Sequence, residues 1–211
     1  MELNRTEVEI QTETKVMTDE QAFWNWFVGH EDDLMHFDRD RETIFDSLSA
    51  ELQKAHPDLT FEFGPVRNGV REFVISAGGR KKAFAAVESL ADAAPKLERW
   101  KVTRFRPRRP VGHSIEIGKP RIDPDDVQYS LLRGKDELGL HLFIPGYTEN
   151  DSELGQIGYL FLDEALGEYD VEMKVGLIKM FPPEADTSGP RHPLHELPTH
   201  FDQAYAMLRC D

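Results

Sequence analysis

The chain has one cysteine, no long apolar run and no surplus of positive charge. Each shortage closes a class of protein. Cys210 is the single cysteine among 211 residues, so neither an intramolecular disulfide nor a zinc cluster of cysteines can form within the chain. That usage points to a reducing, cytoplasmic setting. No apolar run approaches the ~20 residues that a membrane-spanning helix needs. Residues 1–15 are polar and acidic, without the apolar core of a secretion signal. Lys and Arg total 25 against 39 Asp and Glu, a formal net charge of −14. Phosphate-backbone binding needs clustered cations, so general nucleic-acid recognition is not expected. Glycine-rich phosphate loops, the dinucleotide-binding glycine fingerprint and the Gly-x-Ser-x-Gly elbow are also missing. No cofactor is expected.

What is present is a regular alternation of patterns. Residues 1–17 are an acidic lead-in, read either as a short strand at residues 8–10 or as a flexible tail. Thr18 with Gln21 makes a capping box for a first helix. Phe23, Trp26, Phe27 and His30 mark one of its faces, inside the aromatic knot Phe23-Trp24-Asn25-Trp26-Phe27. A second helix is expected after Asp38 or Asp40, with Ile44, Phe45, Leu48, Leu52 and Ala55 as its apolar stripe and Pro57 as its stop. Period-two alternation then gives a hairpin through Asn68-Gly69, continued by a strand at 72–76. A helix over 81–94 and a strand over 100–105 follow. Strands are expected at 114–117, around Val127, Tyr129 and Leu131, and through Leu138, Leu140, Leu142 and Ile144. A helix carrying Leu154, Ile157, Phe161 and Ala165 ends at Gly167. A strand through Met173, Val175 and Leu177 leads into a Pro-, Gly- and His-rich loop, and a helix over 198–208 closes the chain.

The expected fold is α+β, a mainly antiparallel sheet with helices on one face. A single compact domain is expected, helical over 18–56, with a ββαβ unit at 59–106, a second at 127–180, and a loop and helix over 181–211. The units sit about 70 residues apart, and Leu90-x-x-Ala93 falls where Leu162-x-x-Ala165 falls. Duplication and coincidence are both open readings of that match.

Charge is unevenly distributed. Residues 80–109 hold ten bases and three acids, a local +7 that leaves −21 on the remainder. Within this window Lys101, Arg104, Arg106, Arg108 and Arg109 are candidate anion-binding residues. On a continued strand Arg104, Arg106 and Arg108 would share one face, with Phe105 turned to the core. The alternative is that these bases neutralise the chain's own acids.

Histidine-rich stretches suggest metal chemistry by composition alone. His30 and His36 lie six residues apart, on opposite sides of a helix, which favours a solvated acidic face. His192-x-x-His195-Glu196-x-x-x-His200 misses the i, i+4 histidine pair of a zincin and contains Pro198, but a loop could gather the imidazoles of His192, His195 and His200. His113 and His141 have no recognisable nucleophile or orienting partner in sequence. Asp123-Pro124-Asp125-Asp126 reads as a charged turn. Glu164 and Glu168 bracket Gly167 without a defined separation.

Several segments together resemble a family of uncharacterised bacterial proteins: the Phe23–Phe27 knot, Ile75-Ser76-Ala77-Gly78-Gly79, Ala93-Ala94-Pro95-Lys96-Leu97 with Trp100, Phe105-Arg106-Pro107, and the run from Phe161 to Glu168 ending Leu166-Gly167-Glu168. The resemblance implies a bacterial, cytoplasmic, single-domain protein and carries no catalytic residue with it. The functional expectation is a non-enzymatic module that binds another protein, as an adaptor or an immunity-like protein. The alternative is a small-molecule or anion-binding domain, conceivably an enzyme, with its site at 101–109. Metal-dependent hydrolysis is a third option.

Overall fold

A computed structural model describes residues 17–135, 137–187 and 189–208. The strand expected at residues 8–10 lies outside them, as does Cys210. The fold is α+β.

The first helix, α1 (Asp19–Gly29), starts at the expected capping box. Gln21 N donates to Thr18 Oγ1 over 3.3 Å, and Thr18 N donates to the Gln21 side chain over 3.2 Å. Its core residues are Phe23, Trp24 and Phe27. Trp26 is only half-buried and stacks on His30, ring centroids 4.4 Å apart. Trp24 takes the interior position because its indole Nε1 donates to Leu90 O at 2.7 Å. A short helix not anticipated, α2 (Glu31–Met35), places three acids in its first turn, where the macrodipole favours them. Next, α3 (Arg41–Ala55) is capped by Asp40 and buries Leu48 and Leu52.

Strands β1 (Thr60–Arg67) and β2 (Val70–Ser76) form the expected hairpin. Asn68 and Gly69 turn it, with φ of 51° and 79°, the left-handed pair that a tight hairpin needs. A 3-10 turn at Lys81–Ala83 leads into α4 (Phe84–Asp92), shorter at both ends than expected. Strand β3 (Trp100–Arg104) then lies parallel to β2. Phe23, Trp24, Phe27, Phe73 and Trp100 all lie in the core under this sheet, joined by edge and tilted ring contacts 5.0–6.5 Å between centroids.

A two-stranded ribbon, β4 (Ile115–Glu116) and β5 (Arg121–Ile122), links this unit to a second one. There β6 (Gln128–Arg133) and β7 (Leu138–Phe143) pair antiparallel. The helices α5 (Ser152–Leu166) and α6 (Glu168–Lys174) cross over to β8 (Val175–Phe181), which runs parallel to β7. Met173, expected in that strand, belongs to α6. The chain ends with β9 (His192–Pro193), paired with β6, and α7 (Leu197–Leu208). Leu138, Leu140 and Leu142 meet Leu154, Ile157, Phe161 and Leu162 in the second core, which is mainly aliphatic.

The strands pair mostly antiparallel, as expected. The described strands fall into three sheets, ordered β1-β2-β3, β4-β5 and β8-β7-β6-β9. Both larger sheets repeat one topology: a hairpin, a helical crossover, and a third strand parallel to the second. No described helix is long and apolar enough to cross a membrane.

Candidate functional site: the cleft between the two units

The chain leaves β3 abruptly. Phe105, a bulky residue, has φ of 58°, a conformation that costs energy and ends the strand. Its N–H still donates to Ile75 O at 2.8 Å. The reversal carries Arg106 toward α6, and here the two units are sewn together.

Glu168 is the needle. It is fully buried at the start of α6. Its carboxylate accepts from Ala77 N at 2.9 Å, Gly79 N at 3.0 Å and Arg106 N at 3.1 Å. Its own N–H donates to Arg106 O at 3.0 Å. Gly167 makes this approach possible. It has φ of 80°, and a Cβ there would stand 3.3 Å from Arg106 O and Arg108 N. Phe84, Phe105 and Tyr169 pack across the same seam, with centroids 4.5–5.8 Å apart.

Beside this seam opens a cleft of about 710 Å³, walled by Gly78, Gly79, Arg106, Gln156, Tyr159, Asp163 and Glu172 among others. The wall from α5 follows helical spacing, with Ser152, Gln156, Tyr159 and Asp163 stacked along one face. Asp163 is 6% exposed. Burial pushes its carboxyl up to about 7, helped by the nearby Glu168 and Glu172. Arg106 Nη1 at 3.2 Å pulls the other way. Burial outweighs it, and the same guanidinium is also bound through Nε by Glu62. Glu172 is raised as well, by burial and then by Glu168. Burial also raises the Tyr159 hydroxyl. A smaller hollow of about 190 Å³ adjoins, lined by Glu62, Arg106, Asp163 and Glu164. There a buried Glu164 oxygen has no hydrogen-bond partner, and burial raises that carboxyl too. Shifted carboxyls gathered in a cleft are the usual mark of a binding or catalytic site.

The basic segment is distributed differently from the sequence expectation. Because the strand stops at Arg104, the three arginines do not share a face. Arg104 pairs with Asp92, and Arg106 lies in the seam with Glu62 and Asp163. Arg108 pairs with Asp170 at 2.7 Å and Asp202 at 2.9 Å, and donates to Leu166 O at 2.8 Å. Lys101 and Arg109 share Glu72, at 3.1 and 3.3 Å. Lys101, Arg108 and Arg109 nevertheless line one groove of about 440 Å³ together with Arg67 and Glu72.

The histidines separate as well. His192 and His200 come together around Glu196, while His195 is exposed and apart from them. The 3-10 turn Leu194–Glu196 buries Leu194 and turns His195 outward. His141 packs on the edge of the Phe181 ring, centroids 4.8 Å apart, and burial lowers its basicity. Asp123 caps the turn Pro124–Asp126, as the charged-turn reading expects.

Asp163, Glu172 and Tyr159 had no part in the sequence reading of function. The signal was there in one form: an acid, Asp163, directly after the apolar run Leu160-Phe161-Leu162 on the buried side of α5. Comparison with known protein families, curated proteins and solved structures returned no match.

Proposed function

We propose that this chain is a non-enzymatic binding module for a basic protein partner, with a Lys or Arg side chain of that partner entering the cleft between the units. The observation that carries the reading is the placement of Asp163, a buried carboxyl in the wall of the cleft beside Glu172, where burial raises it to about 7. An arriving cation replaces the proton that burial forces on it. Glu172 lies alongside, and the exposed Tyr159 ring offers a face for the aliphatic stem or a cation–π contact. With the basic segment engaged by its own acids, the excess of negative charge on the rest of the chain steers such a partner inward. A cytoplasmic setting goes with this reading.

The test is calorimetric titration with a Lys/Arg-rich peptide. Affinity is expected to fall as salt rises, and binding near pH 7 to release up to about one proton. Asp163→Asn abolishes that release and weakens binding at least about tenfold. Equal binding of an acidic peptide of the same length, or indifference to salt, contradicts the proposal.

A second reading rests on the groove at Arg67, Lys101 and Arg109, where a single acid, Glu72, serves two bases. That groove would take a small anion such as phosphate. A rise in thermal midpoint with inorganic phosphate, lost in Lys101→Ala/Arg109→Ala, supports it. No rise at millimolar phosphate ends it.

A further inference from the structure

The end of the chain builds a second polar cluster, on different residues from the cleft. His192 stands on β9, Glu196 ends a 3-10 turn, and His200 lies in the first turn of α7. Their spacing is i, i+4, i+8, so the carboxylate and not a third imidazole stands between the two histidines. One donor atom from each lies within 4.8 Å of the others. His192 Nδ1 is 3.5 Å from Glu196 Oε2, and His200 Nε2 is 3.9 Å from the same oxygen. Donors around a tetrahedral ion at about 2.0–2.2 Å sit about 3.4 Å apart. Small side-chain rotations close that gap.

The backbone beneath is rigidly placed. Leu194, Leu197 and Phe201 are fully buried, and β9 is held on β6 by the pairing of Tyr129 with His192. Tyr129 is itself buried, and its hydroxyl lies 2.6 Å from His200 Nδ1. That contact occupies one ring nitrogen and turns the other toward Glu196. A partner on the far nitrogen is how ligating imidazoles are oriented and their tautomer fixed. The three side chains are each roughly one-third exposed, which leaves a further coordination position open to solvent. Two imidazoles and one carboxylate form a mixed nitrogen–oxygen set. Hard cations such as Ca²⁺ and Mg²⁺ prefer oxygen alone, so this set suits a zinc-like ion.

We propose that His192, Glu196 and His200 bind one divalent transition-metal ion, with Tyr129 as the positioning residue for His200. This site stands independently of the cleft reading.

The full chain, stripped with a chelator and dialysed, is titrated with Zn²⁺ by calorimetry. Tetrahedral Co²⁺ absorption reports the ligand set. One equivalent is expected to bind and to raise the thermal midpoint. His192→Ala and His200→Ala each weaken binding at least about tenfold. Tyr129→Phe weakens it by about tenfold, as loss of an orienting partner does. His195→Ala and Cys210→Ser leave it unchanged. His192 is on a short surface strand, so its variant remains a test if the His200 variant misfolds; circular dichroism of the metal-free forms decides that. Absence of saturable binding by the wild-type chain overturns the proposal. So does wild-type affinity in His192→Ala/His200→Ala, or loss of the equivalent in His195→Ala or Cys210→Ser.

Discussion

The two units share a topology and differ in what they bury. The first, β1-β2-α4-β3, fills its core with interlocked aromatic rings and is backed by α1 and α3. The second, β6-β7-α5-α6-β8, has an aliphatic core and holds Asp163 and Glu168, the buried acids among the described residues. One hairpin-crossover-strand plan thus serves first as a packed wall and then as the bearer of polar groups. The wall's part in the chemistry is its backbone. Ala77 and Gly79 present N–H groups to Glu168, and the turn at Phe105 delivers Arg106. The candidate cleft opens where one unit's backbone amides meet the other's acids.

The largest effect expected comes from the wall. Phe73 is fully buried and touches Phe23, Phe27, Phe63 and Trp100. Phe73→Ala should cost about 3–5 kcal/mol in urea unfolding, the range for removing a large core ring. Close behind, Glu168→Ala strips three amides of their shared acceptor and should cost about 3–4 kcal/mol. The two should differ in kind. Phe73→Ala loosens the first core, whereas Glu168→Ala lets the units move apart and raises amide exchange at Ala77, Gly79 and Arg106. Equal protection of those amides in both variants would break the comparison.

Next in size is a pH effect. The Asp163 carboxyl sits at about 7 in the folded chain and near 4 when unfolded. The folded state therefore holds the extra proton between these values, and Asp163 removes stability as pH rises through that window. Asp163→Asn does not ionise. Relative to wild type it should gain up to about 4 kcal/mol between pH 4 and pH 8, read from urea midpoints at the two pH values. The smallest effect is local: Thr18→Ala removes the cap of α1 and should cost about 1 kcal/mol.

Local signals were the most legible in sequence. The capping box at Thr18, the Asn68-Gly69 turn and the Gly167 helix end depend on near neighbours, and the chain carries them openly. The α+β class and the repeated unit followed from periodicity. Less legible was anything set by the packing of one unit on the other. The run at Arg104, Arg106 and Arg108 reads as one strand face until Phe105 turns the backbone, and that turn is stabilised by Glu168 some 60 residues later. Trp24 and Trp26 exchange roles for the same reason: the bond to Leu90 O is long-range. The histidines at 192 and 200 are visible in sequence, but Glu196 joins them only through the fold, where β9, the 3-10 turn and α7 bring the three side chains together.

The central claim is that Asp163 waits, protonated near neutrality, for a cation. It is tested most directly by following the Asp163 side-chain carboxyl by carbon NMR across pH 3–9, alone and with a saturating Lys/Arg-rich peptide. A midpoint near 7 that falls when the peptide is added is the predicted result. A midpoint near 4 without peptide, or one near 7 that the peptide leaves in place, would contradict it.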